Sequence, residues 1–94
     1  MDKTPCRVIF KMTPIRLEYE NELESECVAF LLDVDANDGY VMSYMHVGQH
    51  GEAQIGWFNS CKLASPEQYK DLKWELENLI GYNLKIRSRW NRRK

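Results

Sequence analysis

The chain has 94 residues, a formal net charge of −1 and three cysteines. That length allows one domain, residues 1–94, with a modest core. The longest apolar run, Cys27 to Leu32, is far too short to span a bilayer, and no charged region followed by an apolar signal core opens the chain, so a cytoplasmic protein with no membrane partner is expected.

The small net charge hides a segregated distribution. Between Ile15 and Gly39 there are eight acids against the single base Arg16, whereas the last ten residues carry six bases and no acid. Such asymmetry steers an anionic partner to one end or fastens two ends of a chain together. Cys6, Cys27 and Cys61 are far apart and lack CxxC spacing, which points to buried reduced thiols and away from a disulfide framework or a zinc knuckle.

Cys6 to Met12 alternates, with Cys6, Val8, Phe10 and Met12 on one side, and reads as a half-buried strand. Five glutamates at every second position from Glu18 to Glu26 repel one another on a strand face, so 18–26 is expected to be a solvated acidic loop. Cys27 to Leu32 is continuously apolar, as a strand covered on both faces near the sheet centre must be. The following DVDANDG resembles the start of a calcium loop at Asp33, Asp35 and Asn37, but its glycine arrives one place late at Gly39 and Tyr44 stands where a bidentate glutamate is needed. An Asp/Asn/Gly turn is the better reading.

Tyr40 to Val47 alternates again and runs into Gly48-Gln49-His50-Gly51. Ala53, Ile55 and Trp57 alternate with Gln54, Gly56 and Phe58, which predicts a return strand from Glu52 to Asn59 with the tip of the hairpin at Val47 to Gly51 and a bulge or close contact at Gly56. Ser65-Pro66-Glu67-Gln68 is a capping box with proline in the first helical position. The helix places Tyr69, Leu72, Leu76, Leu79 and Ile80 in one stripe and ends at Gly81. Trp74 falls on the opposite, charged face, a candidate seam for a partner or a second subunit. Tyr82 to Trp90 then predicts a last strand with Tyr82, Leu84, Ile86 and Trp90 inward and Arg87 and Arg89 on an uncovered, cationic sheet face. The expected fold is α+β: a small, mainly antiparallel sheet of four to five strands with one helix packed on one face, in the order β-β-β-β-α-β.

Ser43-Tyr44, His46 and Gly48-Gln49-His50-Gly51, followed by Pro66-Glu67, Tyr69, Leu72, Glu75-Leu76 and Ile80-Gly81-Tyr82, resemble a family of short proteins encoded by gut-bacterial prophages and mobile elements. The likeness runs from about Cys27 to Ile86 and implies a genomic setting, not a chemistry. The acidic segment 18–26 and the basic tail depart from the pattern.

The chemistry on offer centres on the histidine segment. His46 and His50 lie across a strand end and a glycine turn, where H-x3-H spacing does not bring two imidazoles together as it does on a helix, and only Glu52 or a distant cysteine is available as a third ligand; no metal and no cofactor are expected. Ser43 has no nucleophile elbow around it and points away from His46. Imidazoles, glycine-rich backbone and Gln49 suit an anion: Ser43, Tyr44, His46, Gln49, His50 and Gly51 are the expected ligand-binding residues, with Tyr44 or Trp57 stacking on a base and Arg87 and Arg89 adding charge. The reading from sequence is a non-enzymatic binder of a small anionic, nucleotide-like ligand that interferes with host-defence signalling, in homo-oligomeric form where Trp74 supplies a seam. Two alternatives stand beside it. One is a module that binds a host protein through the acidic loop and Trp74, or nucleic acid through Arg87, Arg89, Arg92 and Arg93. The other is a histidine-dependent phosphodiester-processing enzyme.

Overall fold

The computed structural model describes residues 5–13, 27–45 and 49–90. The acidic loop 18–26, His46, Gly48 and the basic tail 91–94 lie outside the described residues. The fold is the expected small α+β type, with a mainly antiparallel sheet. Strands β1 (Pro5–Met12), β2 (Cys27–Leu31), β3 (Tyr40–Met45) and β4 (Gln49–Gln54) are followed by a short helix α1 (Ile55–Ser60), a two-residue strand β5 (Lys62–Leu63), helix α2 (Pro66–Glu75) with a π-helical extension (Leu76–Ile80), and strand β6 (Asn83–Ile86).

Neighbouring strands run β4-β3-β2-β1, all antiparallel, with Val8 opposite Leu31, Ala29 opposite Tyr44 and Tyr44 opposite His50. The outer edge of β1 is shared. Its first half takes β6 in parallel, from Pro5 opposite Asn83 to Val8 opposite Ile86, and its end takes β5 antiparallel at Lys11 and Met12. The period-2 alternation of the strands divides the apolar residues between two cores. On one face, Val8, Phe10, Leu31, Tyr44 and Leu84 pack with Leu72 and Leu76 of α2. On the other, Ile9, Val28, Phe30 and Val41 pack with Phe58 of α1 and with Cys61. β2, buried at Val28 to Leu31, feeds both, which is why its sequence is apolar without alternation.

The expected return strand to Asn59 stops at Gln54, and α1 covers the second face. The cause is the loss of a pairing partner: the Ile55 N–H bonds the Gly39 carbonyl at 3.1 Å, and beyond that rung the facing chain has entered the Asp33 to Gly39 turn, where Gly39 takes φ +85°. Turning into a helix instead brings the Phe58 ring edge-on to Phe30 at 4.8 Å. Gly56 therefore lies in a helix, not at a bulge. The expected last strand is also cut short. The Arg87 N–H bonds the Val8 carbonyl at 2.8 Å, and the rest of the β1 edge belongs to β5 and to Ala64, whose N–H bonds the Phe10 carbonyl at 3.0 Å. Trp90 then crosses to the second face, edge-on to Phe58 at 5.5 Å. The face that was to present bare arginines is thus covered by α1, Trp57 and Trp90.

Helix α2 begins as its sequence requires. Gln68 N–H donates to Ser65 Oγ at 3.3 Å, Ser65 N–H donates to Gln68 Oε1 at 2.8 Å, and Pro66 fills the first turn. Its end differs from the expected stripe. After Leu76 the helix widens, with the Gly81 and Tyr82 N–H groups both donating to the Leu76 carbonyl, and Gly81 closes it at φ +102°. The extra residue per turn rotates Leu79 and Ile80 off the sheet: Leu76 is 0% exposed, Leu79 67% and Ile80 42%. Among the described residues, no helix is long and apolar enough to cross a membrane.

The widened turn separates two leucines that an ideal helix would treat alike. Leu76→Ala is expected to cost about 2–5 kcal/mol of stability by leaving a cavity, and Leu79→Ala no more than about 0.5 kcal/mol; urea unfolding of both variants decides it.

Candidate functional site

His50 stands on β4 opposite Tyr44, on the face that α2 covers. The pair belongs to the non-hydrogen-bonded rungs, where side chains approach most closely, and the two rings meet edge-on with centroids 4.8 Å apart. Tyr44 is wholly buried, and its hydroxyl donates to Glu75 Oε2 of α2 at 2.5 Å. His50 is exposed, with Nε2 3.1 Å from the Tyr82 hydroxyl. Tyr82 is delivered there by the left-handed turn at Gly81, and burial pushes its phenol pKa up, with the Cys6 thiol adding to the shift, so the hydroxyl keeps its proton at neutral pH. Tyr44 of β3 and Tyr82 of the link after the π-turn thus flank one imidazole of β4, and α2 reaches the cluster through Glu75 on Tyr44. With its proton on Nδ1, Nε2 accepts from Tyr82; protonated, the ring donates from both nitrogens.

The remaining predicted site residues divide. Gln49 opens β4 opposite Met45. Ser43 sits opposite Gly51, and its Oγ donates to the Gly51 carbonyl at 2.8 Å, on the sheet face opposite Tyr44 and His50. Ser43 and His50 therefore do not form a nucleophile and base. Gly51 is an ordinary ladder residue; among the described residues only Gly39 and Gly81 have positive φ, so Gly51 contributes no left-handed cradle. Neither aromatic expected to stack on a base is placed to do so: Tyr44 has no exposed surface, and Trp57 packs edge-on to Phe30 at 5.7 Å on the far face. Tyr82 and Glu75 complete the cluster instead. The only sequence signal for Tyr82 is its position immediately after a helix-ending glycine, and for Glu75 its place one residue before the buried Leu76.

The arginines lie elsewhere. Arg89 is exposed, and Arg87 leaves β6 beside the Asp33 carboxyl. None of the hydrogen bonds or ring contacts of His50 among the described residues reaches either of them. Asp33 is engaged by Arg7 in a fork, Nη2 to Oδ1 at 2.7 Å and Nε to Oδ1 at 3.1 Å, and also accepts the Arg7 backbone N–H at 2.8 Å. Asn37 donates its N–H and Nδ2 to Glu52 at 3.2 and 3.1 Å, pinning the turn to β4. The residues that imitate a calcium loop are therefore turn and strand anchors. Between this turn and Trp90 lies a cleft of about 370 Å³ with Leu32 and Val41 on its floor. Trp74 is 56% exposed on the outer side of α2, as expected.

Among the described residues, no group of three or more histidine, cysteine or acidic side chains is placed to hold a metal ion. The cysteines are free; burial raises the thiol pKa of each, that of Cys27 to about 11, so all three remain protonated and poor nucleophiles. No protein-family model, curated protein or solved structure matches the chain.

Hydrogen bonds from Arg7, and the nearby charge of Arg87, hold the Asp33 carboxyl below its ordinary value. A depressed folded pKa means stability that is fully present above the unfolded value of about 4 and is lost as pH falls through the lower folded value. Asp33→Asn is expected to lower stability at pH 7 modestly, because the pair is partly exposed, and to flatten the part of the acid limb below about pH 4. Urea midpoints measured from about pH 7 to about pH 2.5 check this, and an unchanged acid limb in the variant contradicts it.

Proposed function

We propose that this protein acts by binding and not by turnover, taking a small anionic, nucleotide-like ligand at the exposed His50 and the half-buried Tyr82 beside it. The observation that carries the reading is the exposed imidazole held between two phenols, one of them buried and anchored to a carboxylate. Ring and hydroxyl are both donors suited to phosphate or carboxylate oxygens, and Tyr82 supplies an aromatic surface beside them. The network below fixes the ring orientation before any ligand arrives, which lowers the ordering cost of binding. In the mobile-element setting that the resemblance implies, such a protein withholds a nucleotide signal from the defence system of a host bacterium, in the host cytoplasm.

Specific observations bear on the alternatives. Trp74, Leu79 and Ile80 are exposed on and just beyond α2, which favours a host-protein contact through that side of the molecule as the second reading. Nucleic-acid binding through Arg87, Arg89, Arg92 and Arg93 would instead show a steep salt dependence. A phosphodiester-processing enzyme needs a second acid or base beside His50; Tyr82, with its raised pKa, is a weak candidate at neutral pH.

A thermal-shift screen against mono-, di- and cyclic nucleotides tests the proposal. At saturating concentration a true ligand is expected to raise the Tm by about 5 °C or more. His50→Ala and Tyr82→Phe are expected to abolish the shift while leaving the unliganded Tm within a few degrees. Mass spectrometry of the recovered nucleotide separates binding from turnover. A screen in which no nucleotide shifts the Tm rejects the reading.

A further inference from the structure

Among the described residues β4 pairs only with β3, and none of them lies along its other edge as a strand. The Ile55 N–H to Gly39 carbonyl bond fixes the phase of the ladder: the pairs Val41–Ala53 and Ser43–Gly51 exchange hydrogen bonds within the sheet, while those at Tyr44–His50 and Met42–Glu52 do not. The backbone N–H and C=O groups of His50 and Glu52 therefore point outward, away from β3. Gln49–Gln54 has no proline, lysine or arginine, the residues with which exposed edges are usually blunted. It presents instead one basic-capable side chain and one acid, two residues apart and on the same face.

We propose that this edge joins two copies of the chain into a two-fold dimer with a continuous sheet, in the register that sets His50 against the partner's Glu52. A two-fold axis joining two identical edges makes the strands antiparallel, and outward-facing residues must meet outward-facing residues. The available registers then differ in charge. Pairing Glu52 with the partner's Glu52 sets like charges directly opposite, and pairing His50 with the partner's His50 does the same whenever the rings are protonated. The proposed register gives two imidazole–carboxylate pairs, puts Gly51 against the partner's Gly51 at the close rung where no side chain intrudes, and forms about four ladder bonds. Both oxygens of Glu52 already accept from Asn37, and a carboxylate has further lone pairs for an imidazole.

The seam does not rest on the ligand reading, because it is tested with no ligand present; where both hold, an anion and the partner's Glu52 compete for one imidazole. Sedimentation velocity of the full chain over a concentration series reaching the millimolar range is expected to show a monomer–dimer equilibrium. Amide exchange supplies a residue-level readout: the His50 and Glu52 amides slow as concentration rises, while Gly51 and Ala53, bonded to β3, are slow throughout. His50→Glu is expected to weaken the dimer by about tenfold or more, and adding Glu52→His to that variant to restore it. A monomer at every concentration overturns the proposal. So does a dimer that His50→Glu leaves unchanged while the His50 and Glu52 amides exchange freely. Should Glu52→His disturb the Asn37 turn, the amide pattern of the unaltered chain still decides the register.

Discussion

The outer edge of β1 is the constraint from which the rest of the architecture follows. Eight residues of strand have one edge filled by β2 and the other divided between β5 at one end and β6 at the opposite end, in opposite directions. The chain leaving β5 must return along the full length of β1 before it can enter β6. Pro66 to Ile80 makes that return: fifteen helical residues rise about 22 Å, against about 27 Å for an eight-residue strand. The helix is therefore obliged to lie along the Val8, Phe10 and Leu31 face, stacking Tyr69 on Phe10 with centroids 4.4 Å apart and burying Leu72 and Leu76. The widened last turn and the left-handed Gly81 bring the chain down to Asn83, and Tyr82 is placed beside His50 as a result.

The opposite face is tied down by a lysine. Lys11 extends from the same strand with its Nζ 3.9 Å from the centre of the Phe58 ring, and donates to the Phe58 carbonyl at 2.8 Å. The Phe58 carbonyl already accepts the Cys61 N–H at 3.3 Å, and the ammonium adds a second, charge-assisted bond at the C-terminal end of α1. Desolvation lowers its pKa, as expected of an ammonium pressed against an aromatic core. This contact holds α1 over Phe30 and Val28, so the second face is closed to solvent by a helix too short to be stable alone.

What could be read from sequence was what depends on local chemistry. The alternation of Cys6 to Met12, the double-sided burial of Val28 to Leu31 within the apolar run Cys27 to Leu32, the Asp/Asn/Gly turn and the Ser65 capping box all lie where the sequence indicates, because each rests on the residues themselves. The return strand, the last strand and the helix stripe depend on partners. Ile55 to Phe58 alternate as well as any strand, yet among the described residues no strand continues beyond Gly39 to pair with them. Six residues are too few for a helical period to show. The site divides along the same line: an exposed histidine near the hairpin could be picked out, but its neighbours Tyr82 and Glu75 come from thirty-two and twenty-five residues further along the chain.

The histidine segment shows why a cluster in sequence is not a cluster in space. Ser43 and Tyr44 are adjacent, as are His50 and Gly51, but the period of two sends Ser43 and Gly51 to one face and Tyr44 and His50 to the other. Of the polar groups concentrated there, Ser43 closes on the Gly51 carbonyl, and Tyr44, wholly buried, is committed to Glu75, as a buried hydroxyl must be. His50 differs because β4 is the last strand on its side of the described sheet, so its ring has core on one flank and solvent on the other. Among the described residues the edge position, more than the GQHG motif, leaves this imidazole open to solvent, and none of them pairs with its backbone donor and acceptor across that edge.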